Sequence, residues 1–562
     1  MLVVACGAGT PGEGLDVGRV QAHVQALAAN GPRPGGSQAA RVAAAYIDRE
    51  LAGAGVRVER MQVGGVDLPA IEVAGRHLRS ARRAQSTDDN LVVRFGPGSG
   101  TSVLVMAHYD TVGDSPGAID NAAAVGLLIE LARVLARAPP ATPVMLVFTA
   151  EEEAGLVGAE AFAGRFAEQI DFAMALDLVG GDGDLTLNGA STLIGASELR
   201  WIAAAADRAG LVVRAPLAHR VISRWWPQAE RSDHGAFTRR GVRAVHFYHR
   251  GHDGELIDLA YHSPRDVPAR VEPAAVDEMG RLLRAIVAAP PPPHAGDGFW
   301  VPLLSNTVIP RWALLAFELV LVVLALGGLI SARAAFVRGG LGLMAALVAF
   351  ALATASTFAI EHVTAARPGA WLHAPLRAEL ALVLVLGGVL ALVTVAARRV
   401  WVWTGELRFL VLAVAIPLAL GGVLLALGAA ELAWLFLLPA ALIALAPRLG
   451  PLRVVAAIAP LLPAVLVLAP AQLREAAWNG FLPATMSLTP LVAAFLAPAC
   501  AGVAWLLRRR GHPGPLGALF LPVGGLLAIG AGILVLAMTS PACSVADFND
   551  FHLACEQGTG VR

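Results

Sequence analysis

The feature that most constrains this chain is a long apolar region in its C-terminal part. Between residues 312 and 538 the sequence is nearly continuous Leu, Ala, Val and Gly. A helix that crosses a lipid bilayer needs about 20 mostly apolar residues. The region therefore predicts an all-α, multi-pass transmembrane domain of about eight helices, at 312–330, 341–360, 378–396, 409–427, 430–446, 454–472, 486–507 and 516–538.

Arginines in the short loops between these segments predict the orientation of the helices. One alternate set of loops carries ten Arg, and the other set, counted with the tail, carries four. Because cytoplasmic loops are enriched in positive charge, the first set is predicted to be cytoplasmic. Residues 1–311 and the tail 539–562 are then extracytoplasmic: outside a bacterial plasma membrane, or lumenal in a eukaryotic cell. The lipid bilayer is accordingly an expected partner.

Both ends of the chain carry cysteines that fit an extracytoplasmic location. Cys543 and Cys555 lie in the predicted external tail, where an oxidising compartment makes a disulfide plausible. The opening MLVVACGAG is too short for a signal peptide or an anchor. It indicates either a signal or anchor segment upstream or lipidation at Cys6, and we favour the former.

The N-terminal half has the composition of a globular enzyme. Charged and apolar residues are mixed up to about residue 290, where four consecutive prolines begin a stiff break. We therefore predict a globular domain over 15–289 and a Pro-rich linker over 290–311. The net charge is zero, which gives no indication of a nucleic-acid partner. The sequence leaves the oligomeric state open.

Strand-like and helix-like segments alternate in the globular half. The predicted strands are 90–95, 102–107, 144–150, 171–179 and 242–247, and the predicted helices are 121–136, 156–167 and 196–210. Such alternation predicts an α/β fold with a mixed, mostly parallel sheet between helices. Ligands bind such sheets beyond the carboxyl ends of the strands.

Potential metal ligands follow successive predicted strands. They are His108 and Asp110, then Asp120, the triplet Glu151 to Glu153, Asp177, and finally His262 in YHSPRD. Taken singly, each has an ordinary explanation, such as a surface pair, a helix-start charge or a turn cap. Their joint occurrence at strand ends instead favours zinc or a similar divalent ion. A shared carboxylate would hold two metal ions about 3.5–4 Å apart.

Six motifs carry a resemblance to a known family. HYDTV, SPGAIDN, EEAGLVGA, ALDLVG, RSDHGAF and YHSPRD, in this order, resemble the signature of the di-zinc aminopeptidases, family 28 of the metallopeptidases, over about residues 20–285. An outward peptidase domain followed by many membrane helices is similar to the endoplasmic-reticulum metallopeptidase and vacuolar membrane protease subgroup.

The resemblance implies two zinc ions per chain and a role for each residue of the site. The implied ligands are His108 and Asp177 for one ion, Glu153 and His262 for the other, and Asp120 between them. Glu152 is the implied general base, and Asp110 the implied partner that orients His108. Glu151 is an additional residue, expected to be only a helix-start charge. Asp233 and His234 are expected to support the site without binding metal.

These observations predict a membrane-anchored, zinc-dependent exopeptidase, most simply an aminopeptidase acting on peptides. A carboxypeptidase has the same implied fold, so the trimmed end stays open. The nearest alternative is an amidohydrolase or a glutaminyl-cyclase-like enzyme with a single zinc. A different class is a transporter or scaffold with a degenerate peptidase domain. We disfavour it because Glu318, Glu379 and Glu431 lie near predicted span ends, where long side chains can reach water, and because the ligand set is intact.

Overall fold

A computed structural model describes residues 15–73, 76–188, 193–215, 219–225, 230, 232–251, 260–301, 304–331, 351–360, 375–396, 414–449, 455–456, 459 and 526–532. The chain forms two compact units, Met1–Arg311 and Trp312–Arg562. The predicted spans 454–472, 486–507 and 516–538 lie almost wholly outside the described residues. Cys6, Cys543 and Cys555 lie entirely outside them.

The first unit is built on one seven-stranded mixed sheet. Its strands and those of two small hairpins are β1 (Glu59–Leu68), β2 (Ile71–Val73), β3 (Arg76–Arg79), β4 (Arg82–Phe95), β5 (Ser102–His108), β6 (Val144–Thr149), β7 (Ile170–Leu176), β8 (Leu185–Asn188), β9 (Arg243–His249), β10 (Gly298–Trp300) and β11 (Val308–Pro310). The sheet order is β1-β4-β6-β5-β7-β9-β8. The central strands β6, β5, β7 and β9 are parallel, whereas β1, β4 and β8 pair antiparallel. The predicted mixed sheet is confirmed, but three of its six strand pairings are antiparallel, so it is not mostly parallel.

Helices cover both faces of this sheet. They are α1 (Val17–Ala28), α2 (Gln38–Gly53), α3 (Ala123–Arg137), α4 (Val157–Phe166), α5 (Ala196–Arg208), α6 (His219–Trp225), α7 (His234–Thr238) and α8 (Pro273–Val287). One core contains residues of α1, α2, α3, α5 and α8, and the other contains residues of α4 and α7. The fold is therefore a three-layer sandwich with two separate apolar cores.

The burial of strand β5 on both faces explains why its sequence is apolar from Val103 to Ala107. Val103 and Val105 point into the first core, and Leu104 and Met106 point into the second. Successive side chains of a strand face opposite sides, so a central strand must be apolar on both. Full burial of each such side chain contributes about 1.5–3 kcal/mol. Disrupting this strand would therefore be costly, so its C-terminal end holds His108 in a fixed position.

Two predicted element boundaries differ from the structure for local reasons. The helix predicted over 121–136 begins at Ala123, because residues 118–122 form a tight irregular turn. The strand predicted over 90–95 begins at Arg82 and pairs antiparallel with β1. Its first half, RRAQSTDD, is almost wholly polar and alternates between exposed and buried positions, so it lacks the continuous apolar run of the central strands.

The described part of the second unit is helical. Its helices are α9 (Arg311–Ser331), α10 (Ala351–Ile360), α11 (Pro375–Ala396), α12 (Ile416–Ala426) and α13 (Ala430–Leu445). Among the described residues, one helix, Arg311–Ile330, is long and apolar enough to cross a membrane, with a mean hydropathy of 2.6. A left-handed Gly428 separates α12 from α13.

Helices α9 and α13 contribute side chains to the same two apolar clusters. Leu321 belongs to a cluster with Ala433, and Ala325, one turn later, belongs to a cluster with Ala440 and Ala444.

Two carboxylates of the second unit correct an expectation from the sequence. Glu318 and Glu431, predicted to reach water from span ends, are 0% and 2% exposed within the protein. Their position is therefore no argument against the transporter alternative. The metal centre described below is therefore the feature that separates a peptidase from a transporter with a degenerate peptidase domain.

Candidate metal centre

The carboxyl ends of three neighbouring parallel strands meet at one edge of the sheet. β6, β5 and β7 are adjacent there. His108 is the last residue of β5, Asp177 follows β7 directly, and Glu151 to Glu153 follow β6 after one residue. The sheet therefore brings together residues that are far apart in sequence.

Asp120 lies between the two histidines, with one carboxylate oxygen turned toward each. His108 Nε2 is 3.2 Å from Asp120 Oδ1 and 3.5 Å from Asp177 Oδ1. His262 Nε2 is 3.4 Å from Asp120 Oδ2 and 3.1 Å from Glu153 Oε2. The five side chains thus form two sets of three that share Asp120.

The spacing and chemistry of these atoms fit zinc. Zinc bonds of about 2.0–2.2 Å at tetrahedral angles put ligand atoms about 3.3–3.6 Å apart, and the nitrogen–oxygen distances here are 3.1–3.5 Å. The same two sets are His108–Asp120–Asp177 and Asp120–Glu153–His262. Within each set, the possible ligand atoms all lie within 4.8 Å of one another. The Nε2 atoms of both histidines are buried and make no hydrogen bond among the described residues. Such buried polar atoms are otherwise rare in folded proteins.

Asp120 is held as an anion by its surroundings. Burial by itself raises the pKa of its carboxyl, but the close approach and the attraction of His108 and His262 outweigh this effect and set the pKa below its ordinary range. A carboxylate that stays ionised and faces two imidazoles suits a bridging position between two cations.

Asp110 holds two elements of the site together, by contacts that differ from the expected one. The Nδ1 atom of His108 lies 3.2 Å from the main-chain carbonyl oxygen of Asp110 and 3.6 Å from its carboxylate. The carboxylate instead accepts hydrogen bonds from the backbone N–H groups of Glu152 and Glu153, at 3.0 and 3.2 Å. Asp110 therefore orients the ring through its carbonyl and the glutamate loop through its side chain.

Glu152 lies beside the two ligand sets. It offers a carboxylate oxygen within 4.8 Å of ligand atoms of His108 and Glu153. Burial raises the pKa of Glu152 well above its ordinary value; repulsion from Glu153 and Asp177 adds to this, against the attraction of His108. A raised carboxyl pKa is what a general base working near neutral pH requires.

The expected role of Glu151 as a helix-start charge is wrong. Helix α4 begins at Val157, six residues later, and Glu151 is buried with a left-handed φ of 52°. Its carboxylate accepts a hydrogen bond of 2.5 Å from Ser86 on β4. Gly35 lies so close that a side chain there would collide with Glu151. Glu151 therefore anchors the loop away from the metal ligands.

Asp233 and His234 contact residues outside the ligand sets. The Thr149 hydroxyl, at the end of β6, donates a hydrogen bond of 2.5 Å to Asp233, and His234 Nε2 lies 2.8 Å from Glu230. Two further charged residues near the candidate ligands, Arg33 and Asp266, were not predicted from the sequence. Asp266 closes the YHSPRD motif, whereas nothing in the sequence distinguishes Arg33 from a surface arginine.

The part of the chain that carries this site is similar to known peptidases. Residues 90–287, which contain every candidate ligand, match the model of Peptidase family M28. Aminopeptidase YwaD of Bacillus subtilis is 29% identical over 197 residues, 33% of this chain and 40% of that protein. The vacuolar membrane protease of Candida albicans is 33% identical over 102 residues, 18% of this chain and 12% of that protein. The chain thus spans less than half the length of either curated relative.

One solved structure superposes on part of this chain. That of BSAP, a zinc aminopeptidase from Bacillus subtilis, superposes with a TM-score of 0.40 at 18% sequence identity and covers 49% of this chain and 94% of that one.

Proposed function

We propose, from the premise that residues 90–287 are a domain of Peptidase family M28, that this chain is a zinc-dependent aminopeptidase anchored in a membrane by several helices. The observation that carries the proposal is the position of Asp120, with one oxygen toward His108 and the other toward His262. A pair of metal ions sharing one carboxylate is the arrangement that two-metal hydrolases use.

Each residue of the site has a role in this proposal. His108 and Asp177 would hold one zinc, Glu153 and His262 the other, and Asp120 would bridge them. When bound, the zinc pair would supply an acidic water and stabilise negative charge that develops on the scissile carbonyl oxygen. Glu152 would accept the proton of the attacking water and deliver it to the amine of the departing product. Asp110 would hold the Glu152 and Glu153 backbone in place.

The charge of the site supports a substrate with a free amine. Five carboxylates gather at this edge of the sheet, those of Asp110, Asp120, Glu152, Glu153 and Asp177. Each carboxylate that stays ionised attracts cations, so this edge of the sheet favours the ammonium group of a peptide N-terminus over the carboxylate of a C-terminus.

Peptide digestion tests this choice of substrate. We expect the purified chain to trim peptides from a free N-terminus and to leave N-acetylated peptides intact, as read by mass spectrometry. Peptides with an amidated C-terminus serve as the control and should be trimmed normally. Removal of residues from the C-terminus of acetylated peptides would make the enzyme a carboxypeptidase. Cyclisation of N-terminal Gln without trimming would favour the cyclase alternative.

The membrane part of the proposal is a domain of about eight spans with the peptidase domain outside. Helices α9 and α13, which fall on the first and fifth predicted spans, share apolar clusters, as helices of one transmembrane bundle would.

Reporter fusions test the topology. Fusions after Arg338 and after Arg510 are expected to read cytoplasmic, and a fusion at the C-terminus external, because the arginine-rich loops should stay inside. With an external tail, Cys543 and Cys555 should resist thiol labelling until they are reduced. A cytoplasmic C-terminus would mean an odd number of spans and would refute the count of eight.

A further inference from the structure

Arg33 is a buried arginine next to the metal centre, although it lies outside the residues matched to the peptidase family. Its side chain is 2% exposed, and the hydrogen bonds of its guanidinium group go to main-chain carbonyl oxygens. Nε donates to Tyr109 at 2.8 Å, Nη1 to Pro116 at 2.5 Å and Nη2 to Gly117 at 2.9 Å.

These carbonyls belong to two segments that carry metal ligands. Tyr109 lies between His108 and Asp110, and Gly117 lies three residues before Asp120. The main chain of Arg33 adds to the link, since its N–H donates to the Thr111 hydroxyl at 2.9 Å. The single side chain of Arg33 therefore fastens the end of β5 to the turn that leads to Asp120.

Asp266 holds the other half of the same turn. Its carboxylate accepts hydrogen bonds from the backbone N–H groups of Ile119 and Asp120, at 2.7 and 3.1 Å, and its carbonyl oxygen accepts one from Ala118 at 3.2 Å. Asp266 follows His262 by four residues. The position of Asp120 is thereby tied to the loop that carries the second histidine.

The two side chains bind different polar groups of the turn, each according to its own charge. The guanidinium of Arg33 satisfies the C=O groups at 116 and 117, and the carboxylate of Asp266 satisfies the N–H groups at 119 and 120. An apolar residue of similar volume in place of Arg33 would take this donor from the carbonyls of Tyr109 and Pro116, whereas the carbonyl of Gly117 would keep the N–H of Ala122. Lysine offers a point charge without the planar fork that reaches several carbonyls at fixed angles.

We infer that Arg33 and Asp266 are positioning residues that hold Asp120 between His108 and His262, and so set the affinity of the site for its metal pair. The inference rests on the proposed function, because it requires that the site bind zinc. Side chains that orient metal ligands in this way typically change metal affinity by about 10–100-fold when they are replaced.

The test measures zinc binding to the full-length chain, in detergent, against a chromophoric chelator. We expect Arg33→Met and Asp266→Asn to bind zinc at least about 10-fold more weakly than wild type, with Arg33→Lys in between. The visible absorption of the cobalt-substituted chain should also change, since it reports the arrangement of the ligands. Asp266→Asn removes a negative charge but keeps the size of the side chain.

Arg243→Met is the matched control. Arg243 is another largely buried arginine, at the first residue of β9, and it donates to Glu198 at 2.6 Å and to the carbonyl of Pro292 at 2.8 Å. It lies at the end of the sheet opposite the ligands. Its replacement should lower the melting temperature of the chain and leave zinc affinity and the cobalt spectrum unchanged.

The possible outcomes separate the inference from the proposed function. Wild-type zinc affinity and an unchanged cobalt spectrum in folded Arg33→Lys and Asp266→Asn would refute the positioning role, whatever their melting temperatures. If Arg33→Met does not fold, the zinc affinity and cobalt spectrum of Arg33→Lys and Asp266→Asn decide whether the positioning role holds. A wild-type chain that takes up no zinc would instead refute the proposed function, and the positioning role with it.

Discussion

Replacing Glu152 by Gln is expected to leave zinc bound at the wild-type level and to lower the peptidase rate by about 10²–10⁴-fold, the usual contribution of general-base catalysis. Gln keeps the size and shape of the side chain but cannot accept a proton. Glu152 lies within 4.8 Å of the ligand atoms, yet the close contacts of the two histidines go to Asp120, Asp177 and Glu153. Its loss should therefore affect the proton transfer and not the binding of metal.

The neighbouring glutamates provide two matched controls for this variant. Glu153→Gln should weaken zinc binding, because a neutral amide is a poor zinc ligand and Glu153 is 3.1 Å from His262. Glu151→Gln should be nearly as active as wild type, since the amide oxygen can still accept the hydrogen bond from Ser86. Zinc content and the rate on one aminoacyl amide, measured for all three variants, give the comparison.

One pattern of results would contradict the assignment within this triplet. An inactive, zinc-replete Glu151→Gln would make Glu151 the base and Glu152 the ligand, one residue earlier than proposed. The geometry argues against that pattern, because the Glu151 carboxylate is directed to Ser86, and the backbone of Glu152 and Glu153, not that of Glu151, is bound by Asp110.

The central strands and the candidate ligands could be predicted from the sequence because their signals are local. A strand that is covered on both faces must be continuously apolar, and β5 is so over 103–107, β6 over 144–148 and β7 over 172–176. A polar residue directly after such a strand, such as His108 or Asp177, must lie at the edge of the sheet. Adjacency in a parallel sheet then brings these residues together without any further information.

The turn that carries Asp120 could not be predicted in this way. Helical periodicity extends back from α3 to residue 121, yet residues 118–122 leave the helix to direct Asp120 toward both histidines. The turn depends on Gly117, whose φ of 61° and contacts with Thr111 exclude a side chain. It also depends on Arg33 and Asp266, which come from distant parts of the chain. Contacts between residues so far apart in the sequence leave no periodic pattern of apolar and polar residues.

The burial of Glu151 was missed for a related reason. An acidic triplet after a strand most often marks the start of a helix, where the helix dipole favours carboxylates. Here five residues, 152–156, lie between Glu151 and the start of α4, and Ser86 of β4 donates a hydrogen bond to Glu151. Only the pairing of β4 beside β6 brings the two side chains together.

Replacing Asp120 by Ala is expected to remove both zinc ions and to reduce peptidase activity to background. Each ligand set contains two residues besides Asp120, and catalytic zinc sites have three protein ligands. Losing the shared carboxylate leaves both sets incomplete at once, and it also removes the negative charge that separates two cations. Metal analysis of the purified, folded chain measures the effect, and a thermal melt checks that the chain is folded.

Asp177→Ala is the control that separates a bridging ligand from an ordinary one. Asp177 contacts His108 and has no close contact with His262, so its loss should release one ion and leave the other set, Asp120–Glu153–His262, intact. The expected zinc contents are therefore close to none for Asp120→Ala and about one ion for Asp177→Ala, against two for wild type. Equal losses in the two variants would mean that the ions bind only as a pair. Near-full occupancy in Asp120→Ala would refute the bridge, because no other residue of the five faces both histidines.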